Sequence, residues 1–74
     1  MQVNLEKFDS GWVSLTVAIP RKDIDNLIAR LQDLKSGSTG HFHFRTDDFS
    51  CESGVADIEF SVAGPSEVSN MVLE

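Results

Sequence analysis

The side chains with the most chemical potential sit in one pentapeptide, His41-Phe42-His43-Phe44-Arg45. Its period of two is a strand pattern, so His41, His43 and Arg45 share one face while Phe42 and Phe44 share the other. Two imidazoles at i and i+2 of a strand aim the same way, as many metal sites require, and Asp47, Asp48, Cys51 or Glu59 would complete a shell. The commoner meaning of such a pair is two half-exposed histidines on a polar sheet face, and no second ligand pair at zinc spacing accompanies it. The expectation is no cofactor and no resident metal, with His41 and His43 as the alternative ligand pair.

Other reactive groups are sparse. Cys51 is the single cysteine, and as a nucleophile it would need a base and an orienting group around a pocket that excludes water, for which so short a chain leaves little depth. Enzyme activity is not expected. The acidic run Asp47-Asp48-Phe49-Ser50-Cys51-Glu52 lacks the carboxylate spacing and glycine of an EF-hand loop, so it reads as a solvated connection in which Phe49 is either tucked under a sheet edge, the favoured reading, or presented as an anchor to a partner. Ser36-Gly37-Ser38-Thr39-Gly40 follows a helical pattern instead of preceding one, which is the wrong order for a phosphate cradle.

Composition narrows the partners. A chain of 74 residues is one domain, residues 1–74, near the size at which a single core is marginal and a partner often supplies further burial. Twelve acidic against six basic residues give a formal charge of −6, which disfavours nucleic acid and anionic membrane and favours encounter with a basic protein. A lone cysteine and a start without a basic, then apolar, leader point to the cytoplasm.

The elements that must position these residues follow from periodicity. Gln2–Lys7 carries a weak alternation suited to an edge strand, and Asp9-Ser10-Gly11 predicts a reversal into the strand Trp12–Ile19. There Val13, Leu15, Val17 and Ile19 face the core and Trp12, Ser14, Thr16 and Ala18 the open side. Pro20 ends that strand and precedes a helix over Arg21–Lys35, in which Ile24, Leu27, Ile28, Leu31 and Leu34 form one apolar stripe. Gly37 is the expected left-handed cap. After the histidine strand and the acidic loop, Val55–Ala63 returns as a strand with Ala56, Ile58, Phe60 and Val62 inward and Asp57, Glu59 and Ser61 outward.

Pairing Phe44 with Ile58 sets Arg45 against Asp57 and His43 against Glu59; a slip by two residues sets His43 against Asp57 and His41 against Glu59. Either register interleaves basic side chains with carboxylates. Gly64-Pro65-Ser66-Glu67 then opens a C-terminal segment that suits a short helix or an extended tail. The expected fold is α+β: a three- to four-stranded sheet built as hairpin, helix, hairpin, with the main amphipathic helix covering one face.

The chain resembles the small predicted immunity proteins of bacterial polymorphic toxin systems. The likeness rests on Gly40-His41-Phe42-His43-Phe44 after an amphipathic helix, followed by an acidic loop and Asp57-Ile58-Glu59-Phe60, and spans roughly Val13 to Val62. It implies a cytoplasmic protein that neutralises a toxin by binding it, without catalysis, with His41 and His43 near the functional surface. The residues alone lead to a similar expectation: a protein-interaction domain whose binding face comprises Trp12, His41, His43, Arg45, Asp47, Asp48, Asp57 and Glu59, facing a basic toxin or enzyme. The alternatives are a metal-binding domain using His41 and His43, and a homodimeric structural domain.

Overall fold

In a computed structural model that describes residues Met1–Glu74, the chain runs β1 (Gln2–Lys7), β2 (Val13–Ala18), α1 (Arg21–Ser36), β3 (His41–Arg45) and β4 (Asp57–Ser61). The class is α+β. β1 and β2 pair antiparallel with Val3 opposite Val17 and Leu5 opposite Leu15, so the apolar residues of both strands share one face. The reversal between them works because Gly11 takes φ 92°; its N–H donates to the Phe8 carbonyl at 3.1 Å, while Phe8 N–H donates to the Trp12 carbonyl at 2.9 Å.

Pro20 leads into α1 with extended dihedrals, and its carbonyl accepts the Asp23 N–H at 2.8 Å. Asp23 in the first turn and Lys35 in the last complement the helix dipole, while Arg21 and Lys22 at its first two positions oppose it. At the far end Gly37 adopts φ 82° and donates to the Leu34 carbonyl at 3.2 Å, and the Ser36 and Ser38 hydroxyls donate to the Asp33 carbonyl at 3.2 and 3.3 Å. Carbonyls left over at the helix end are thereby partnered within the chain.

The second hairpin carries the aromatic cluster. β3 and β4 are antiparallel with Phe42 opposite Phe60, Phe44 opposite Ile58, His43 opposite Glu59 and Arg45 opposite Asp57. Phe42 and Phe60 stack with ring centroids 5.1 Å apart and planes 14° from parallel, and Phe44 meets each edge-on at 5.7 Å. Both are favoured aromatic geometries, contributing about 0.5–1.5 kcal/mol per pair beyond area burial. Thr46 N–H donating to the Ala56 carbonyl at 3.0 Å continues the pairing past the strand ends.

Several expectations are corrected. The four strands form two separate two-stranded sheets instead of one, because alternation specifies which face a strand buries but not which edge it meets. The helix packs closely on neither hairpin. Of the two forms open to the C-terminal segment, the tail is found and the short helix is not: a single turn, Glu67 N–H to the Gly64 carbonyl at 3.1 Å, is all the segment makes before Val68, Met71, Val72 and Leu73 run on exposed. A segment this short cannot offset the cost of helix nucleation without a surface to bury against. The strands over Trp12–Ile19 and Val55–Ala63 contract to Val13–Ala18 and Asp57–Ser61. Phe49 is not tucked in; it is 74 % exposed.

Leu34 is the only buried side chain, and Ile24, Ile28 and Leu31 of the same stripe stand nearly half exposed. The accessible surface is 6914 Å². A closed globular chain of 8.2 kDa has roughly 4,500 Å², so about 2,400 Å² that a self-sufficient fold would bury stays in contact with solvent. The radius of gyration agrees, at 14.5 Å against about 11 Å for a compact chain of this length.

The two glycines flanking the serine-rich connection separate backbone from side-chain effects. Gly37 is left-handed and Gly40 is not, while both have open space where a Cβ would sit. Gly37→Ala should therefore lower unfolding free energy by about 1 kcal/mol, and Gly40→Ala should leave it unchanged or raise it by about 0.5 kcal/mol, read from urea unfolding curves.

Candidate functional site

The outward face of the second hairpin gathers five of the expected residues: His41, His43 and Arg45 from β3, Asp57 and Glu59 from β4. Strand parity puts them together, since the phenylalanines occupy every alternate position. Direct cross-strand partnership brings His43 Nε2 to 3.3 Å from Glu59 Oε1. The Asp57 side chain reaches across the diagonal, so His43 Nδ1 lies 2.9 Å from Asp57 Oδ1 and 3.1 Å from Oδ2. Arg45 Nε donates to the same Oδ1 at 3.1 Å. His43 is the best enclosed of the group, with a side chain only 20 % exposed, and the His41 ring meets it edge-on with centroids 5.1 Å apart.

Asp57 is the electrostatic hinge of this face. Partial desolvation pushes its carboxyl upward, but the hydrogen bonds from His43 and Arg45, with their positive charge, outweigh that and hold it below the ordinary carboxylate value. His43 meanwhile has a carboxylate at each ring nitrogen. A neutral imidazole has one N–H and can satisfy only one of them.

His41, His43 and Glu59 offer ligand atoms that all lie within 4.8 Å of one another. The donor set is two imidazole nitrogens and one carboxylate oxygen, which suits divalent transition ions. Asp47 and Asp48 lie outside this cluster, in the loop after β3. Thr46 Oγ1 accepts the Asp48 N–H at 3.1 Å, and Asp48 Oδ1 accepts the Ser50 N–H at 3.0 Å, giving two successive side-chain turns. The Ser50 hydroxyl, then its amide, hold the Asp48 carboxyl below its ordinary value against a small opposing desolvation.

Trp12 is not part of either group. It sits in the turn of the first hairpin, 78 % exposed and uncovered by the C-terminal segment, and no backbone pairing joins that hairpin to the histidine strand. A feature with no sequence signal is a cleft of about 880 Å³ between β1 and the acidic loop, walled by Val3 and Leu5 on one side and Asp48, Phe49, Glu52 and Val55 on the other. It depends on contacts between distant parts of the chain, which local periodicity does not encode. Cys51 borders the same cleft and is a free, exposed thiol.

Comparison of the chain with protein-family models, with curated proteins and with solved structures finds no match. No helix is long and apolar enough to cross a membrane.

The hydrogen bonds around Asp57 have a measurable consequence. A carboxyl whose folded value is depressed stabilises the fold above its ordinary value of about pH 4, and that contribution drains away as pH falls through the lowered value. The side-chain carboxyl carbon of Asp57, followed by NMR, should titrate below those of unpaired aspartates. Arg45→Gln and His43→Asn should each move it back toward the ordinary value; an unmoved midpoint in both variants would contradict the arrangement described.

Proposed function

We infer that this chain is a non-catalytic protein-interaction domain that completes its apolar core against a basic partner protein. The observation that carries the reading is the roughly 2,400 Å² of excess surface left by a fold with one buried side chain. Such exposure is a hallmark of surfaces meant to be covered. Aromatic anchors stand ready on it: Trp12 and Phe49 are each more than two-thirds exposed, and such side chains dominate interface energetics. Each strand also keeps one unpaired edge, since both sheets have two strands, so a partner can add main-chain hydrogen bonds.

Charge selects the kind of partner. The formal charge of −6 makes a second copy of the chain electrostatically unwelcome and a cationic protein welcome. The cleft between β1 and the acidic loop pairs an apolar wall with the Asp48 and Glu52 carboxylates, a composition that fits a segment with a basic side chain beside an apolar one. The resemblance of the Gly40–Phe44 strand to bacterial immunity proteins favours one partner class, a toxin-type enzyme neutralised in the cytoplasm, with His41, His43, Arg45, Asp47, Asp48, Asp57 and Glu59 at or beside the contact.

The test begins with the isolated chain. It should sediment as a monomer, bind a hydrophobic dye and show poor amide protection in α1. Co-expression with the product of the adjacent gene should give a complex that weakens with salt and loses about tenfold in affinity when Asp47 and Asp48 are both changed to asparagine, while α1 amides become protected. A stable dimer of the isolated chain with protected amides would replace this reading by self-association. A well-protected monomer that binds no dye would remove the need for any partner.

A further inference from the structure

We propose that His41, His43 and Glu59 form a three-ligand site for a divalent transition-metal ion, with Asp57 orienting His43 from behind and the remaining coordination left open to solvent. The proposal concerns the second hairpin alone and does not rest on the interaction reading above.

The arrangement has the parts such a site needs. Three donor atoms from two paired strands lie within 4.8 Å of one another, and His43 Nε2 is 3.3 Å from Glu59 Oε1. Bonds of about 2.0–2.1 Å to a tetrahedral ion place neighbouring donors about 3.3 Å apart, so this edge of the polyhedron already has its length. Closing the remaining separations needs only side-chain rotation, for which His41 and the half-exposed Glu59 have room.

Behind the donors stands the supporting layer. Asp57 Oδ1 lies 2.9 Å from Nδ1 of His43, so with an ion on Nε2, the nitrogen that faces Glu59, the proton kept at Nδ1 donates to Asp57. Arg45 in turn holds Asp57 through Nε at 3.1 Å. Carboxylate–histidine pairs of this kind orient metal-binding imidazoles and raise their basicity. A cation also resolves the conflict at His43: with an ion on Nε2, a neutral ring satisfies Asp57 by its N–H and Glu59 by shared coordination. Two nitrogens and one oxygen select zinc and its first-row neighbours over calcium or magnesium, which prefer all-oxygen shells.

The experiment uses the full chain without an affinity tag, titrated calorimetrically with zinc chloride at neutral pH and followed by imidazole nitrogen NMR. One equivalent should bind, shifting Nε2 of His43 while Nδ1 keeps its proton, and calcium or magnesium should produce neither effect. His41→Asn, His43→Asn and Glu59→Gln should each weaken zinc by more than about 100-fold, and Asp57→Asn by about 10–100-fold. Cys51→Ser should leave affinity unchanged. All of these residues are at least partly exposed, so unaltered circular dichroism will separate lost binding from lost folding. No saturable zinc binding, binding that survives loss of both histidines, or binding abolished by Cys51→Ser overturns the site.

Discussion

The antiparallel pairing of β3 with β4 is the constraint on which the informative half of this molecule depends. With Phe42 facing Phe60 and Phe44 facing Ile58, the intervening residues have no freedom of side: His43 must face Glu59 and Arg45 must face Asp57. The ring cluster of Phe42, Phe44 and Phe60 holds that register from one face, and the His43–Asp57–Arg45 bonds hold it from the other. A slip by one residue would exchange the two faces wholesale, placing imidazoles and carboxylates where the phenylalanines now meet. Apolar packing and polar chemistry are thus two readings of one pleat.

The rest of the chain lacks a comparable closure. α1 is well closed at its C-terminal end by a left-handed glycine and serine hydroxyls, while its N-terminus has no side-chain cap and sets Arg21 and Lys22 beside Asp23; its apolar stripe is covered only at Leu34 and partly at Leu27. Helices in small domains owe most of their stability to such a stripe finding a surface, and neither hairpin supplies one here. The fold therefore has good local structure and little tertiary burial. The exposed stripe, Trp12, Phe49 and the apolar C-terminal residues together make up most of its uncovered apolar surface.

The surplus of acidic groups spreads over the chain, but at the second hairpin it is organised: Asp57 is shared between His43 and Arg45, and Glu59 faces the opposite ring nitrogen. Exposed ion pairs contribute little stability individually. Their value lies in orientation, because a ring held by one nitrogen presents the other in a defined direction. The acidic loop is shaped differently, by Thr46 and Asp48 capping their own backbone, and serves as the wall of a cleft instead of a set of converging ligands.

Periodicity and turn chemistry made most of the local structure legible: the helix and its glycine cap, both reversals, the strand His41–Arg45 and the division of its residues between two faces. The Phe44–Ile58 register and the Arg45–Asp57 and His43–Glu59 partners were also readable, as one of two allowed pairings. Only the folded hairpin shows that strand twist and side-chain lean let Asp57 reach His43 diagonally, so that His43 has both carboxylates which the two registers offered separately. Which edges pair, whether the helix finds a sheet, and the approach of β1 to the acidic loop were decided by tertiary structure, since these depend on contacts between residues far apart in the chain. Alternation along a strand carries the direction of each side chain but no information about its distant neighbours, and that is why the faces were legible while the two separate sheets were not.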